Sequence, residues 1–361
     1  MNFLVFIIIL YIFFFNILMM NNKINSYIIY HRTGHHARYS GYSQLINYID
    51  SKVITGKKNI IPYKFSKFIS KFISRSSGIY NTSSIEKEIE IIFERFKNFN
   101  KLNLFHFLNG ERDIRFSTLF KGSSKIIATF HKPPDILQEL IKNKKYLKKL
   151  DGAIVVGKSQ FEYIKKEFGI KNVKYIPHGV DTDFFIPDIN KKENNTLLFV
   201  GQHLRDFDAL NYSIPKLIEK FPDLKVNIVI QEAYTKYINK LDCINFYSGI
   251  NDENLRDLYQ KATYLFLPLK DVTACNSILE AIACGLPVIT TDLESNREYL
   301  DIDYTFFHMN EDYDDLIQKT IEALNDEKYN TKTLRARESS LKYDWKKIAI
   351  EIEDFYKIIM S

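Results

Sequence analysis

From residue 24 onward, short apolar runs of strand length alternate with longer amphipathic stretches. SYIIYH, NLFHFLN, KIIATFH, GAIVVG and VKYIPHG come first, and TLLFVG, KVNIVI, YLFLPL and PVITTD follow. Several of these runs are apolar at successive positions rather than at alternate ones, which is how strands buried on both faces of a parallel sheet read. The first strand is predicted at Ser26 to Tyr30, and helices are predicted between the runs, as at Ser159 to Phe168 and Leu255 to Ala262. The pattern is α/β and doubly wound. A polar stretch, PDINKKENN from Pro187 to Asn195, divides it into two Rossmann-like halves over residues 24–187 and 196–335. The closing segment, 336–361, carries Trp345, Ile348, Ile352, Phe355 and Ile359 at helical spacing, one face of a packing helix over Leu341 to Met360.

Two segments depart from this alternation. Residues 1–20 are almost wholly apolar from Phe3 to Met20, close to the ~20 residues that a membrane helix needs. They read either as an anchor with the basic body on the cytoplasmic side, or as a mis-assigned start, with translation beginning at Met19 or Met20. A cleaved signal peptide fits less well, because no basic region precedes the apolar run and no small-residue site follows it. The second segment is KFSKFISKFISR. It sets Phe65, Phe68, Ile69, Phe72 and Ile73 on one helical face and Lys64, Lys67, Lys71 and Arg75 on the other. That is the pattern of a helix lying on an anionic membrane surface. It is equally the pattern of a helix packed on its own domain with a basic face in water.

Composition narrows the class without defining it. A chain of 361 residues with 45% hydrophobic and 26% charged positions has room for two full cores and is neither disordered nor polytopic. Cys243, Cys275 and Cys284 show neither disulfide-framework nor zinc spacing. The net charge of +6 accompanies heavy use of Lys, Asn, Ile, Tyr and Phe, so only locally patterned charge is informative. No nucleic-acid-binding module is legible, and no G-x-G-x-x-G follows any predicted strand, which argues against a dinucleotide enzyme.

Candidate chemistry concentrates between Leu265 and Ile289. A strand ends at Pro268, a polar loop runs from Lys270 to Cys275, and a helix begins near Asn276 and Ser277, where free backbone N–H groups and the helix dipole form an anion site. Glu280 sits one turn further on, facing the same crevice, where a carboxylate can accept both hydroxyls of a ribose. Gly285 and Pro287 end that helix. The D-x-D pattern occurs at Asp181 to Asp183 and three more times, too cheaply to indicate a metal. The pair His35 and His36 has no third ligand nearby.

NSILEAIACGLPVITTD resembles the corresponding stretch of the retaining GT-B glycosyltransferases of family 4. So do IPHGVDTDFF, LLFVGQHLRDF, FYSGINDENLRDLYQKATYLFLPL and the late YDW, in that order. The resemblance covers most of the chain from about residue 150, with FHFLNGE and TFHKPP fitting expected positions before it. It implies two Rossmann-like domains facing across a cleft, a nucleotide-sugar donor held by the second, a glycan or lipid-linked acceptor held by the first, and a last helix crossing back to the first domain. Carried over by position, Glu280 holds the donor ribose, Asn276 and Ser277 hold the diphosphate, and Ile250 meets the base. His131 stands near the transferred sugar, and Gly34, in the loop after the first strand, approaches donor and acceptor.

Two positions depart from the family pattern. Val272 stands where a second glutamate is common, and Gln202 and Phe207 stand where an Arg and a Lys commonly grip the diphosphate. Arg205, between them, supplies a cation that forks onto phosphate oxygens. The resemblance then implies transfer with retention, the leaving diphosphate stabilised by Arg205 and helix-end amides, with no metal, no cofactor and no obligatory protein base. The departures leave open a non-catalytic relative that binds a nucleotide-sugar or glycan. The location implied is cytoplasmic, or the cytoplasmic face of a membrane.

Overall fold

The computed structural model describes residues 24–31, 38–56, 61–73, 78–119 and 121–361. The apolar segment 1–20, Gly34, the His35 and His36 pair and Arg75 lie outside the described residues.

The first domain is a six-stranded sheet of β1 (Asn25–Ile29), β2 (Lys52–Ile54), β3 (Asn103–Phe107), β4 (Lys125–Phe130), β5 (Gly152–Val155) and β6 (Val173–Tyr175), in the order β2-β1-β3-β4-β5-β6. Its helices are α1 (Tyr63–Ile73), α2 (Thr82–Lys97), α3 (Pro134–Leu140) and α4 (Ser159–Glu167). The second sheet contains β7 (Thr196–Val200), β8 (Lys225–Val229), β9 (Ile244–Tyr247), β10 (Tyr264–Leu267), β11 (Val288–Thr291) and β12 (Thr305–His308), in the order β12-β11-β10-β7-β8-β9. Around it lie α5 (Phe207–Lys220), α6 (Asp252–Lys261), α7 (Asn276–Ala283), α8 (Glu294–Tyr299), α9 (Tyr313–Leu324) and α10 (Tyr329–Ser340), and α11 (Trp345–Met360) closes the chain.

Every strand pair is parallel, as the runs of successive apolar residues predict. Strand order reverses between β1 and β3 in one sheet and between β7 and β10 in the other. Such switch points open a crevice beyond the strands' carboxyl ends. In this molecule the two crevices face each other.

The expected crossing is present. Trp345, Ile348, Ile352, Phe355 and Ile359 of α11 are all buried with Leu45, Leu104, Ile127 and Ile154 of the first domain. The chain is stitched where it crosses: Val180 N–H donates to Tyr343 O at 2.9 Å, and Trp345 N–H donates to Val180 O at 3.2 Å. Gly179 lets the indole in, because a Cβ there would lie 2.3 Å from Trp345 Cδ2. The helix starts later than the apolar spacing predicts. Leu341–Tyr343 is a 3₁₀ turn, and Asp344 leaves helical geometry at ψ 133 to cap α11 by accepting from Lys346 N–H.

α1 packs on its own domain against α2 with its lysines in water, but through serines and not through the predicted apolar face. Its buried positions are Ser66 and Ser70, while Phe65 and Phe68 are 56% and 74% exposed. Lys64, Lys67 and Lys71 are exposed as well. The short Ser stripe is what lets the helix lie close against the domain, and it leaves Phe65 and Phe68 outside.

Candidate functional site

The facing crevices form one cavity of about 490 Å³. The first domain contributes Ser40 to Tyr42, Asn109 after β3, His131 to Pro133 after β4, and His178 after β6. The second contributes His203 to Arg205 after β7, and Asp271 to Ser277 from the end of β10 into α7.

At the start of α7 the N-cap residue is Cys275, and no side chain caps the helix. Ile278 and Leu279 N–H donate to Cys275 O, so it is the amides of Asn276 and Ser277 that keep unfilled hydrogen-bonding capacity beside the cavity. Arg205 is fixed next to them: Nε donates to Val200 O at 3.0 Å, Nη1 to His203 O at 3.1 Å, and Nη2 to Ser277 Oγ at 2.8 Å. A guanidinium held by three bonds beside a helix N-terminus is a preformed site for an anion. Phe207, which carries no charge, stacks its ring with Tyr237.

Across the cavity, the imidazole of His131 donates through Nε2 to Leu108 O at 2.7 Å, which fixes its tautomer. The ring of Tyr42 meets it edge-on, centroids 4.6 Å apart. Buried Glu111, to which sequence reasoning assigned no role, accepts from the backbone N–H of His131 and, at 2.8 Å, from that of Lys132. An acidic residue after β3 was the available signal. Lys132 Nζ reaches His203 Nε2 of the other domain at 3.1 Å, and burial followed by the Lys132 and Arg205 charges lowers the pKa of that imidazole. His178 is buried, which drives its pKa down to about 3 and keeps it neutral.

Glu280 sits one turn into α7 but not on the open cavity. Its carboxylate lies beneath the first domain's loop, accepting from the Ser40 hydroxyl and from Tyr259 OH at 2.9 Å. Burial pushes its pKa up to about 7. The loop is held down beside it: Tyr39 N–H donates to Asp252 Oδ2 at 2.8 Å, and its ring stacks on Phe184 at 3.8 Å.

The structure thus brings His131, Arg205, Asn276 and Ser277 to one cavity and puts Glu280 directly behind it. Gln202 and Ile250 are half-buried and do not line it; Ile250 packs against the second core. Val272 lines the cavity and is 6% exposed. Asp181 and Asp183 serve structure, one accepting from the N–H groups of Asp183 and Phe184, the other paired with Lys346. Among the described residues, no three His, Cys, Asp or Glu side chains gather as metal ligands.

Two parallel doubly wound domains with switch points facing across a cleft define the GT-B architecture. The chain superposes on sucrose-phosphate synthase from Thermosynechococcus elongatus with a TM-score of 0.68 at 14% identity, covering 93% of this chain and 99% of that one. Residues 194–326, in the second domain, match the family of glycosyl transferases group 1. Among curated relatives it is 25% identical over 254 residues to a phosphatidyl-myo-inositol mannosyltransferase of Mycolicibacterium smegmatis, covering 65% of each chain. It is 27% identical over 140 residues to one component of the human phosphatidylinositol N-acetylglucosaminyltransferase, covering 36% of this chain and 28% of that one. Each of these two curated matches spans less than two thirds of the relative's length.

Proposed function

We propose that this protein transfers a sugar, with retention and without a metal, from a nucleotide-sugar to a lipid-linked acceptor. The observation that carries the reading is the clamp of Arg205 against Ser277 at the uncapped start of α7, opposite His131. A departing diphosphate at that position meets a fixed guanidinium and helix-end amides as its charge develops, which is electrostatic stabilisation without reorganisation. The acceptor hydroxyl attacks from the same face, and its proton passes to the leaving phosphate. His131, held with Nε2–H on Leu108 O, borders the space left for the sugar.

The lipid-linked acceptor is supported by the two curated relatives, both named for phosphatidylinositol glycosylation, and by the exposed Phe65 and Phe68 of α1 among its lysines. No described helix is long and apolar enough to cross a membrane, so contact through α1 is peripheral. Vesicle flotation tests it: equal recovery of wild type and Lys67→Glu/Lys71→Glu with anionic vesicles sinks the lipid surface.

The transfer reading is tested by a thermal-shift screen with UDP, GDP and ADP on wild type and Arg205→Ala, followed by turnover assays with sugars of the stabilising nucleotide, with and without EDTA. Stabilisation lost in the variant, with EDTA-insensitive turnover giving the donor's anomeric configuration, is the expected result. Val272 in the cavity wall and the covered Glu280 favour a second reading, a relative that binds without transferring. Nucleotide stabilisation with no turnover on any acceptor selects it.

A further inference from the structure

α2 is polar on part of its buried side and apolar on part of its exposed one. Toward the domain it buries Lys87, Glu88, Glu94 and Arg95 beside Ile85 and Ile91: Lys87 pairs with Asp113 at 2.5 Å, Glu94 with Lys52, and Arg95 Nη1 donates to Ser117 O at 3.0 Å. Toward solvent it presents Phe93 and Phe96, 58% and 75% exposed, and just past its end come Phe99 and Leu102, 75% and 45% exposed. Residues three apart on a helix are neighbours, so Phe93 and Phe96 form one ridge. Large apolar side chains exposed side by side, unlike ones scattered singly, mark an interaction surface.

Beside the ridge is a second cavity, about 380 Å³, at the amino ends of β3 and β4 and so at the opposite end of the domain from the cleft. Ile92, Phe96 and Phe99 form its apolar wall, and buried Arg95 and Ser124 with Lys121 form its polar side. The charge around it is one-sided. Arg95 and Lys121 line it and Lys97 and Lys101 flank Phe96 and Phe99 in sequence, whereas the carboxylates that act on Arg95, Glu88 and Asp151, already accept from Tyr80 and Ser117 and from Lys121. A wall of aromatic rings ending on a buried guanidinium suits an acyl chain with an anionic head.

We infer that this pocket binds one anionic phospholipid of a bilayer, its acyl chain against Phe96 and Phe99 and its phosphate toward Arg95 and Lys121. The site rests on the lipid-surface part of the function proposed above and is independent of sugar transfer. α1 packs against α2, and α2 runs from beside Asp113 near the cleft edge to Asn98 beneath β1. A lipid held at the far end lays the whole α1 and α2 face along the membrane.

Photolabelling the full chain with vesicles carrying a diazirine-acyl phosphatidylglycerol tests this. The expected result is label within 92–103 or 121–124, reduced at least about tenfold in Phe96→Ser/Phe99→Ser, since removing two ring contacts costs at least that factor in partitioning. Label at α1 should persist, and the melting temperature should stay unchanged because both rings are exposed. Absence of label from these segments, or label unaffected by the double variant, overturns the pocket. Label at α1 alone overturns the pocket while keeping the lipid surface, and no label anywhere sinks both. A lipid-free dimer that the double variant dissociates also overturns it, naming a second copy as occupant.

Discussion

Ser40, in the first domain, donates a hydrogen bond to the carboxylate of Glu280, 240 residues away in the second. The serine hydroxyl and Tyr259 OH thus take one acceptor site on each carboxyl oxygen, and the serine lies where a ribose would approach under the proposed function. Nucleotide binding at Glu280 then requires the Ser40 contact to yield.

Ser40→Ala should therefore tighten binding of whichever of UDP, GDP or ADP stabilises wild type. A hydrogen bond to an ionisable group is worth roughly 1.5 kcal/mol or more, so the expected gain is about tenfold in Kd by calorimetry. An unchanged or weaker Kd would mean that ribose does not compete with Ser40.

Glu280 also sets a pH dependence of stability. Its folded pKa of about 7 lies above the unfolded value of about 4.3. Its contribution is fully present below that lower value and is lost as pH rises through about 7. A shift of that size is worth ~3 kcal/mol. Relative to Glu280→Gln, wild type should lose about 3 °C in melting temperature between pH 5 and pH 8. Parallel melting curves for the two across that range would contradict the buried, protonated acid.

Arg205 should behave as a fork and not as a point charge. Arg205→Lys keeps the charge but loses the three-way clamp, and should weaken nucleoside diphosphate binding by about tenfold or more; Arg205→Ala should weaken it further. Lysine fully replacing arginine would show that geometry is irrelevant there.

The protein has one tryptophan, and it sits at the crossing point. Gly179→Ala forces a methyl group into the indole and should lower stability by several kcal/mol, in the range of a disrupted large core side chain. Red-shifted emission of Trp345 at a lower denaturant midpoint is the expected reading. A wild-type midpoint would mean that the crossing loop gives way freely.

Glu111→Ala should separate binding from chemistry. It releases the His131 and Lys132 amides without touching Arg205, so donor binding should survive while transfer falls by about a hundredfold, as for other small displacements of a positioned group. Equal loss of both would place Glu111 in overall stability.

The strands, their parallel pairing and the faces of α11 were legible because runs of successive apolar residues and a 3.6-residue spacing leave few alternatives. The meeting of Arg205, Asn276 and Ser277 was nearly legible, since all three fall at strand ends that a doubly wound sheet sends to one edge. The Ser40 contact was not, because a loop's landing place depends on the docking of two domains. Nor was α1: Ser66 and Ser70 face inward although the apolar moment points elsewhere, and only the packing against α2 decides that.

The hydrogen bonds between Val180 and the pair Tyr343 and Trp345 tie together the two places where the chain passes between domains. Two crossings bonded to each other should act as a hinge between the sheets. Glu280 and Ser40 border the same small space as Val180 and Trp345, beside that hinge, where a rotation displaces atoms least. Arg205 and Lys132 line the larger cavity instead. Swinging the domains apart should therefore widen the Arg205 end of the cleft more than the Glu280 end, so that uncovering Glu280 would fall mainly to the Tyr39 to Gly41 loop.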